Sequence, residues 1–290
     1  MIANYFLPNE TRHPVLHQVV GGIEGGVALD PPLSIKCVLG GSTHYYTGTD
    51  SAHRVDANHY LILNRGHDYT FEKDMTTQVE TFCVFFPSTL VPAIAAQSTR
   101  SDAQLLEWDS SSNIAFGHFE HCRRHGSRVS RAVLEMRRQL LAGTLDDAQL
   151  EELLIRLGHS LVAEHQRIHQ RIRELPYTRP QTRRELFRRV HRARDFLHAN
   201  YAAPITVSDA AQIAAMSPFH FLRTFRQILG ETPALYLQRV RIEQATWLLR
   251  HTKLPVTEIA SQVGYQSLTS FSRVFAQHMH IPPRAYRLTN

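Results

Sequence analysis

No stretch of about 18 consecutive apolar residues occurs in the chain, so the sequence offers no membrane-spanning helix. Its opening, MIANYFLPNE, lacks the basic and apolar segments of a secretory leader. Cysteine is scarce: Cys37, Cys83 and Cys122 are odd in number and far apart, which argues against a disulfide framework or a zinc motif and suits a reducing cytosol. No His-x-His occurs among His44, His53, His59 and His67. Metal-dependent enzymes built on small β-barrels need that pair, a downstream carboxylate and a later histidine. The sequence thus speaks against a metalloenzyme and points to no catalytic set, metal or cofactor.

What is present is length enough for two domains, 290 residues with 43% hydrophobic content, and a charge that is unevenly spread. Residues 181–290 carry 15 Lys+Arg against 6 Asp+Glu, whereas residues 1–180 carry 17 against 20. A basic segment of this kind is the footprint of a polyanionic partner whose binding weakens as salt rises. A basic face that is merely solvated is the alternative.

The basic segment contains one unit written twice. VSDAAQIAAMSPFHFLRTFRQILGETPALY begins at Val207 and VTEIASQVGYQSLTSFSRVFAQHMHIPPRAY at Val256. Ala211 recurs as Ala260, 49 residues on, while Phe221, Arg223, Phe225, Pro233 and Tyr236 recur 50 residues on as Phe271, Arg273, Phe275, Pro283 and Tyr286. The extra residue falls between Gly264 and Ser267, in a turn, as expected of a repeated helix-turn-helix. Thr206 with Asp209 makes a capping-box pattern, and Ser217 followed by Pro218 marks a second helix start. Phe221 and Phe225 share an inward face, as do Phe271 and Phe275. Phe219, Leu222, Arg223 and Arg226 fall on the outward face of the first copy, and Thr269, Ser272, Arg273 and Ala276 on that of the second.

Residues 183–290 resemble the DNA-binding domain of the AraC/XylS family of bacterial transcription regulators. The resemblance rests on Ala211, Ser217, Phe221, Arg223, Phe225, Gly230 and Pro233, then on Ile259, Ala260, Gly264, Tyr265, Phe271, Arg273, Phe275, Pro282, Pro283 and Tyr286. Arg241-Ile242, Ala245 and Leu248-Leu249 fit the long helix that joins the two units, about Thr232–His251, with Leu235 and Val240 also assigned to its cores. One departure is Ala215, where a helix-turn-helix often has Gly, so the turn there must avoid a positive φ or tolerate it. The resemblance implies a sequence-specific regulator of transcription. Arg223 and Arg273 are its expected base readers, bidentate to guanine. Phe219 and Leu222 suit thymine methyls or packing on the neighbouring helix, and Thr269 and Ser272 suit base edges. Arg226 and the helix starts at Ser217 and Ser267 suit phosphates.

Residues 1 to about 95 read as β. Ser34–Leu39, His44–Thr47, Tyr60–Leu63, Tyr69–Phe71 and Val79–Phe86 are short apolar or alternating runs separated by Gly, Asp, Asn and Pro. They predict a small antiparallel barrel or jelly roll. Val55–Tyr69 resembles the cupin-like effector domain of many such regulators. His44, Tyr46, His67, Tyr69 and Phe82 are candidates for lining an effector site, or strand residues with core-filling or outward roles. Leu39 falls near the strand position where the arabinose-responsive relative has a sugar-binding arginine, so arabinose is not the expected effector.

Between these parts, His118, His121, Cys122 and His125 would share a face if helical and could then hold a metal, although Gly117 and Gly126 argue against a continuous helix. Helices are predicted from Ser127 to Gly143, with Val129, Val133, Met136, Leu140 and Leu141 inward, and over about Asp146–Ile172. Leu175–Pro180 breaks the pattern. The expected organisation is α+β. Residues 1–174 form the effector-binding and dimerisation domain (barrel about 1–95, helices about 127–172), residues 175–182 a linker, and residues 183–290 an all-α domain with two helix-turn-helix units. The expected partners are double-stranded DNA, a small-molecule effector, a second copy through the N-terminal half and, for an activator, RNA polymerase. The expected location is the bacterial cytoplasm, at the nucleoid. The alternatives are a ligand-independent regulator or repressor and, further off, a cupin-type enzyme with a basic appendage.

Overall fold

The computed structural model describes residues 14–21, 24–48, 51–73, 78–99 and 120–289. The chain divides into two compact units, Met1–Arg183 and Arg184–Asn290.

The first unit begins with eight strands: β1 (Val15–Val20), β2 (Gly25–Ala28), β3 (Ser34–Gly40), β4 (Ser42–Thr47), β5 (Ser51–Asp56), β6 (His59–Leu63), β7 (Tyr69–Lys73) and β8 (Val79–Phe85); β9 (Cys122–Arg124) comes later. All pair antiparallel, in sheets ordered β1-β8-β3-β6-β9 and β2-β7-β4-β5. This is the strand order of a two-sheet jelly roll with β9 added at one edge. The closed barrel considered from the sequence is not formed: no ladder joins the two sheets among the described residues.

Strand alternation sorts the side chains. On β3, Ile35 and Cys37 face a cluster with Tyr60, Ile62, Phe82 and Val84. That cluster is completed by three helices, α1 (Leu90–Thr99), α2 (Arg128–Leu141) and α3 (Asp147–Arg173). Val38 faces the other way, into the space between the sheets, with Ala28, Tyr45, Val55, Leu61, Leu63, Tyr69 and Val79. The five-stranded sheet is therefore covered on both faces, which is why β6, HYLIL, is buried throughout. Gly158 on α3 permits the close passage of α1, since a Cβ there would lie 2.6 Å from Ile94 Cδ1. Burial of Val129, Val133 and Met136 matches the expected stripe of α2, but Leu140 and Leu141 lie exposed in its last turn.

The proposed helical His/Cys face is not formed. Residues Cys122–Arg124 are strand, which points neighbouring side chains to opposite sides. Cys122 is buried with its thiol on the Arg54 carbonyl, while His125 lies against the Tyr60 ring. His118 lies outside the described residues.

The second unit is helical. The helix that leads into it, α4 (Pro180–Ala199), starts three residues before Arg183, the expected start of the helical domain, with proline at its first position, where the missing N–H costs nothing. Then follow α5 (Val207–Ile213), α6 (Pro218–Leu229), α7 (Pro233–His251), α8 (Val256–Gln262), α9 (Leu268–Met279) and α10 (Pro283–Leu288). On α7, Val240, Ala245 and Leu249 are buried, but Leu235 is exposed and the neighbouring Tyr236 takes the inward place.

Candidate nucleic-acid interface

Helices α5 and α6 form one helix-turn-helix and α8 and α9 a second, and the two are built alike. Thr206 caps α5 in a full capping box: its hydroxyl accepts from the Asp209 N–H, and its own N–H donates to Asp209 Oδ2 at 2.7 Å. That bond and the Thr206 hydroxyl hold the Asp209 carboxyl below its ordinary pKa. In the second copy Pro255 stands at the cap with no side-chain bond. Ser217 and Ser267 cap α6 and α9, accepting from the His220 and Ser270 N–H groups. Behind each second helix the aromatics repeat. Phe221–Phe225 and Phe225–Tyr236 ring centroids are 5.3 and 6.1 Å apart, and Phe271–Phe275 and Phe275–Tyr286 are 5.6 and 5.5 Å apart. All four phenylalanines are fully buried. They fix the rotation of α6 and α9, so what lies opposite them is presented outward.

The outward residues are those expected. Phe219, Leu222, Arg223 and Arg226 are exposed on α6; Thr269 and Arg273 are exposed and Ser272 half-buried on α9. Phe219 is 79% exposed, far more than a core aromatic would be. Sequence reasoning passed over Gln227 and Gln277, exposed one turn further along the same helices, although their 50-residue spacing was there to be read.

The arginines of this unit fall into two groups. Arg192 donates to the Ile213 carbonyl at 2.9 and 2.6 Å, and Arg189 to the Ala215 carbonyl at 3.2 Å, tying α4 to the first turn. Arg192 is thus a structural brace. Arg241 donates to the Tyr201 and Ala203 carbonyls at 2.7 and 3.0 Å, Arg239 pairs with Glu231 and Glu243, and Arg287 donates to the Leu254 carbonyl. Arg184, Arg223, Arg226, Lys253, Arg273 and Arg284 are exposed and have no such partner among the described residues. They are cations available for phosphates or base edges.

The turns differ at one equivalent position. Ala215 adopts φ 50° and Gly264, 49 residues on, φ 86°. Ala215 therefore tolerates a left-handed conformation. At Gly264 the turn is also crowded: an added Cβ would meet Ala202 O at 2.8 Å and the Arg241 guanidinium at 3.0 Å.

A family model described as a helix-turn-helix domain matches residues 210–289. The chain is similar to the lactose operon transcription activator of Staphylococcus xylosus, 36% identical over 98 residues, 34% of this chain and 35% of that protein. It is also similar to the HTH-type transcriptional regulator AlkR of Acinetobacter baylyi, 38% identical over 91 residues, 31% of this chain and 30% of that one. The chain carries an AraC-type helix-turn-helix domain at its C-terminal end. Among solved structures, the C-terminal domain of AraT, a response regulator from Geobacillus stearothermophilus, is 34% identical and covers 35% of this chain and 85% of that one, with a TM-score of 0.34. The matched segment spans about a third of the length of both curated relatives. The AraC-type domain thus accounts for the repeat and leaves the first unit to be read from its own residues.

In that first unit, the five residues considered for an effector site are not brought together. His44 and Tyr46 stack on one another at 6.5 Å, on the side of β4 opposite the inward Tyr45, and the Tyr46 hydroxyl donates to Glu72. His67 sits exposed in the β6–β7 turn against Glu120 at 2.9 Å. Phe82 faces the helices. Tyr69 alone of the five lies between the sheets.

Proposed function

We propose that this chain is a sequence-specific DNA-binding regulator of transcription that reads two successive major grooves of one duplex. The observation that carries this reading is the pair of buried-aromatic helices, α6 and α9, each turning outward an arginine with no partner among the described residues, at the same place in a 50-residue repeat. Arg223 and Arg273 read guanine through bidentate hydrogen bonds, flanked by Phe219 and Leu222 in one groove and by Thr269 and Ser272 in the other. Arg226 and the N-termini of α6 and α9 hold phosphates.

Helix α7 sets the spacing. Its 19 residues span about 28 Å. Successive major grooves on one face of straight DNA are about 34 Å apart, so the bound duplex bends toward the protein or the reading helices splay outward.

The jelly-roll unit serves as the effector module, and a ligand acts there through unequal affinity for two arrangements of the protein. Exposed Leu134, Leu140 and Leu141 on α2 and Ile155 on α3 favour pairing with a second copy. Activation is the proposed mode, in keeping with the name of the S. xylosus relative, and it requires contact with RNA polymerase. A promoter–reporter strain tests the mode: activation predicts that deleting the gene lowers output from the bound promoter, and a rise on deletion would make the protein a repressor. Selection of bound DNA from a random pool, repeated with Arg223→Ala, tests the reading itself. The substitution should relax one base position and cost about 1–3 kcal/mol there. A uniform loss over all sequences would assign Arg223 to phosphate.

A further inference from the structure

We propose that the first reading helix, α6, selects a pyrimidine by its C5 methyl group, one or two base steps from the guanine read by Arg223, so that methylation of a cytosine at that step tightens binding. This inference rests on the reading of the chain as a regulator that inserts α6 into a major groove, and it names the base chemistry the helix prefers there.

The two reading helices differ beside the arginine they share. Phe219, Leu222 and Arg226 of α6 stand where α9, 50 residues on, has Thr269, Ser272 and Ala276. Phe219 is 79% exposed and Leu222 38% exposed. Their spacing makes them neighbours on one face of α6, and Phe219 stands one turn before Arg223 on that face. The inward places are taken by Phe221, Thr224 and Phe225, all fully buried. The helix start is fixed by the Ser217 cap and by Pro218 at the first position. Phe219 and Leu222 are therefore carried into whatever groove Arg223 enters.

A phenyl ring and an isobutyl group make no hydrogen bonds. Laid on polar base edges, they would strip water from donors and acceptors and give nothing back. The major groove has one apolar feature, the methyl on C5 of thymine. 5-Methylcytosine carries the same methyl at the same place and keeps the amino group of cytosine. An apolar pair thus separates methylated from unmethylated pyrimidines. Four residues rise about 6 Å along a helix and successive bases on a strand about 3.4 Å, so a methyl under Phe219 stands one or two steps from a guanine under Arg223. In the second groove the hydroxyls of Thr269 and Ser272 offer hydrogen bonds instead. The methyl dependence therefore belongs to the first block of the site.

Binding-site selection with the parent and with Phe219→Ala locates the step, as the position near the first-block guanine that the variant relaxes. Duplexes with thymine, uracil, cytosine or 5-methylcytosine at that step are then titrated with the full chain by fluorescence anisotropy. Thymine should bind about fourfold tighter than uracil, and 5-methylcytosine about fourfold tighter than cytosine, which is what burying one methyl-sized group is worth. The two comparisons separate the two sources of the methyl, an encoded thymine and a modified cytosine. Phe219→Ala and Leu222→Ala should each shrink both ratios toward one, while urea unfolding shows both variants folded. The same exchanges in the second block should change affinity far less. The proposal is overturned if thymine and uracil bind alike, if cytosine and 5-methylcytosine bind alike, if both ratios survive in both variants, or if the second block responds as strongly. A selection that yields no preferred sequence would instead overturn the regulator reading on which this one rests.

Discussion

Gly264 and Ala215 occupy the same place in the two helix-turn-helix units, yet exchanging their side chains should move stability in opposite directions. Alanine in a left-handed conformation costs about 1–2 kcal/mol relative to glycine. At Gly264 that strain adds to a steric conflict with Ala202 O at 2.8 Å, which is backbone, and with the Arg241 guanidinium at 3.0 Å. Relieving the conflict means moving Arg241 off the Tyr201 and Ala203 carbonyls. Charged hydrogen bonds of this kind contribute roughly 1.5–3 kcal/mol. Gly264→Ala should therefore destabilise the second unit by about 3–4 kcal/mol. Ala215→Gly removes the strain with no such conflict and should stabilise by about 1 kcal/mol. The assay is urea unfolding followed by Trp247 fluorescence in a Trp108→Phe background, which leaves one tryptophan in the chain. A neutral Gly264→Ala, or an Ala215→Gly that unfolds at lower urea, would refute the reasoning.

Arg192→Ala and Arg223→Ala should separate brace from reader. The first loses the bonds to Ile213 O and should cost about 1.5–3 kcal/mol of stability; the second should unfold like the parent, as urea titration of both will show. The first unit should also weaken in mild acid. Burial, then His169 and Arg123, lower the His165 imidazole to about 4 from an ordinary 6.5. The unfolded chain takes up that proton first, so stability is full above pH 6.5 and falls as pH drops from 6.5 toward 4. Because His165 is only half-buried, the contribution is on the order of 1–2 kcal/mol. His165→Gln should flatten the slope in this window, and an unchanged pH profile would assign the slope elsewhere. DNA affinity should fall steeply between 50 and 200 mM salt, with a log–log slope that shrinks by about 1 for Arg226→Ala if that residue holds a phosphate; an unchanged slope would remove it from the phosphate set.

The second unit was largely legible in the sequence because the code is local and stated twice. The 49-residue and 50-residue offsets locate the turn, and the Phe pairs fix which faces are outward. The arginine brace at Arg192 was not legible, since its acceptor is a carbonyl 21 residues away. In the first unit five strands were visible, but β1, β2, β5 and β9 were not legible in the sequence. Helix α1 was hidden by Pro92, which reads as a breaker but sits in the first turn, where its missing N–H does no harm. The facing of β3 and β8 was hidden because both faces of their sheet are covered, which erases the alternation that a half-exposed strand displays. That is why the sequence left Phe82 open between lining an effector site and filling the core, and only the structure turns it toward the helices.

The most direct test is binding-site selection with three proteins: the parent, Arg223→Ala and Arg273→Ala. Two reading helices in successive grooves predict a site with two blocks about 10 base pairs apart. Arg223→Ala should erase preference at one guanine in one block, and Arg273→Ala at one guanine in the other. A single block, or two variants that lose affinity equally for every sequence, would contradict the account.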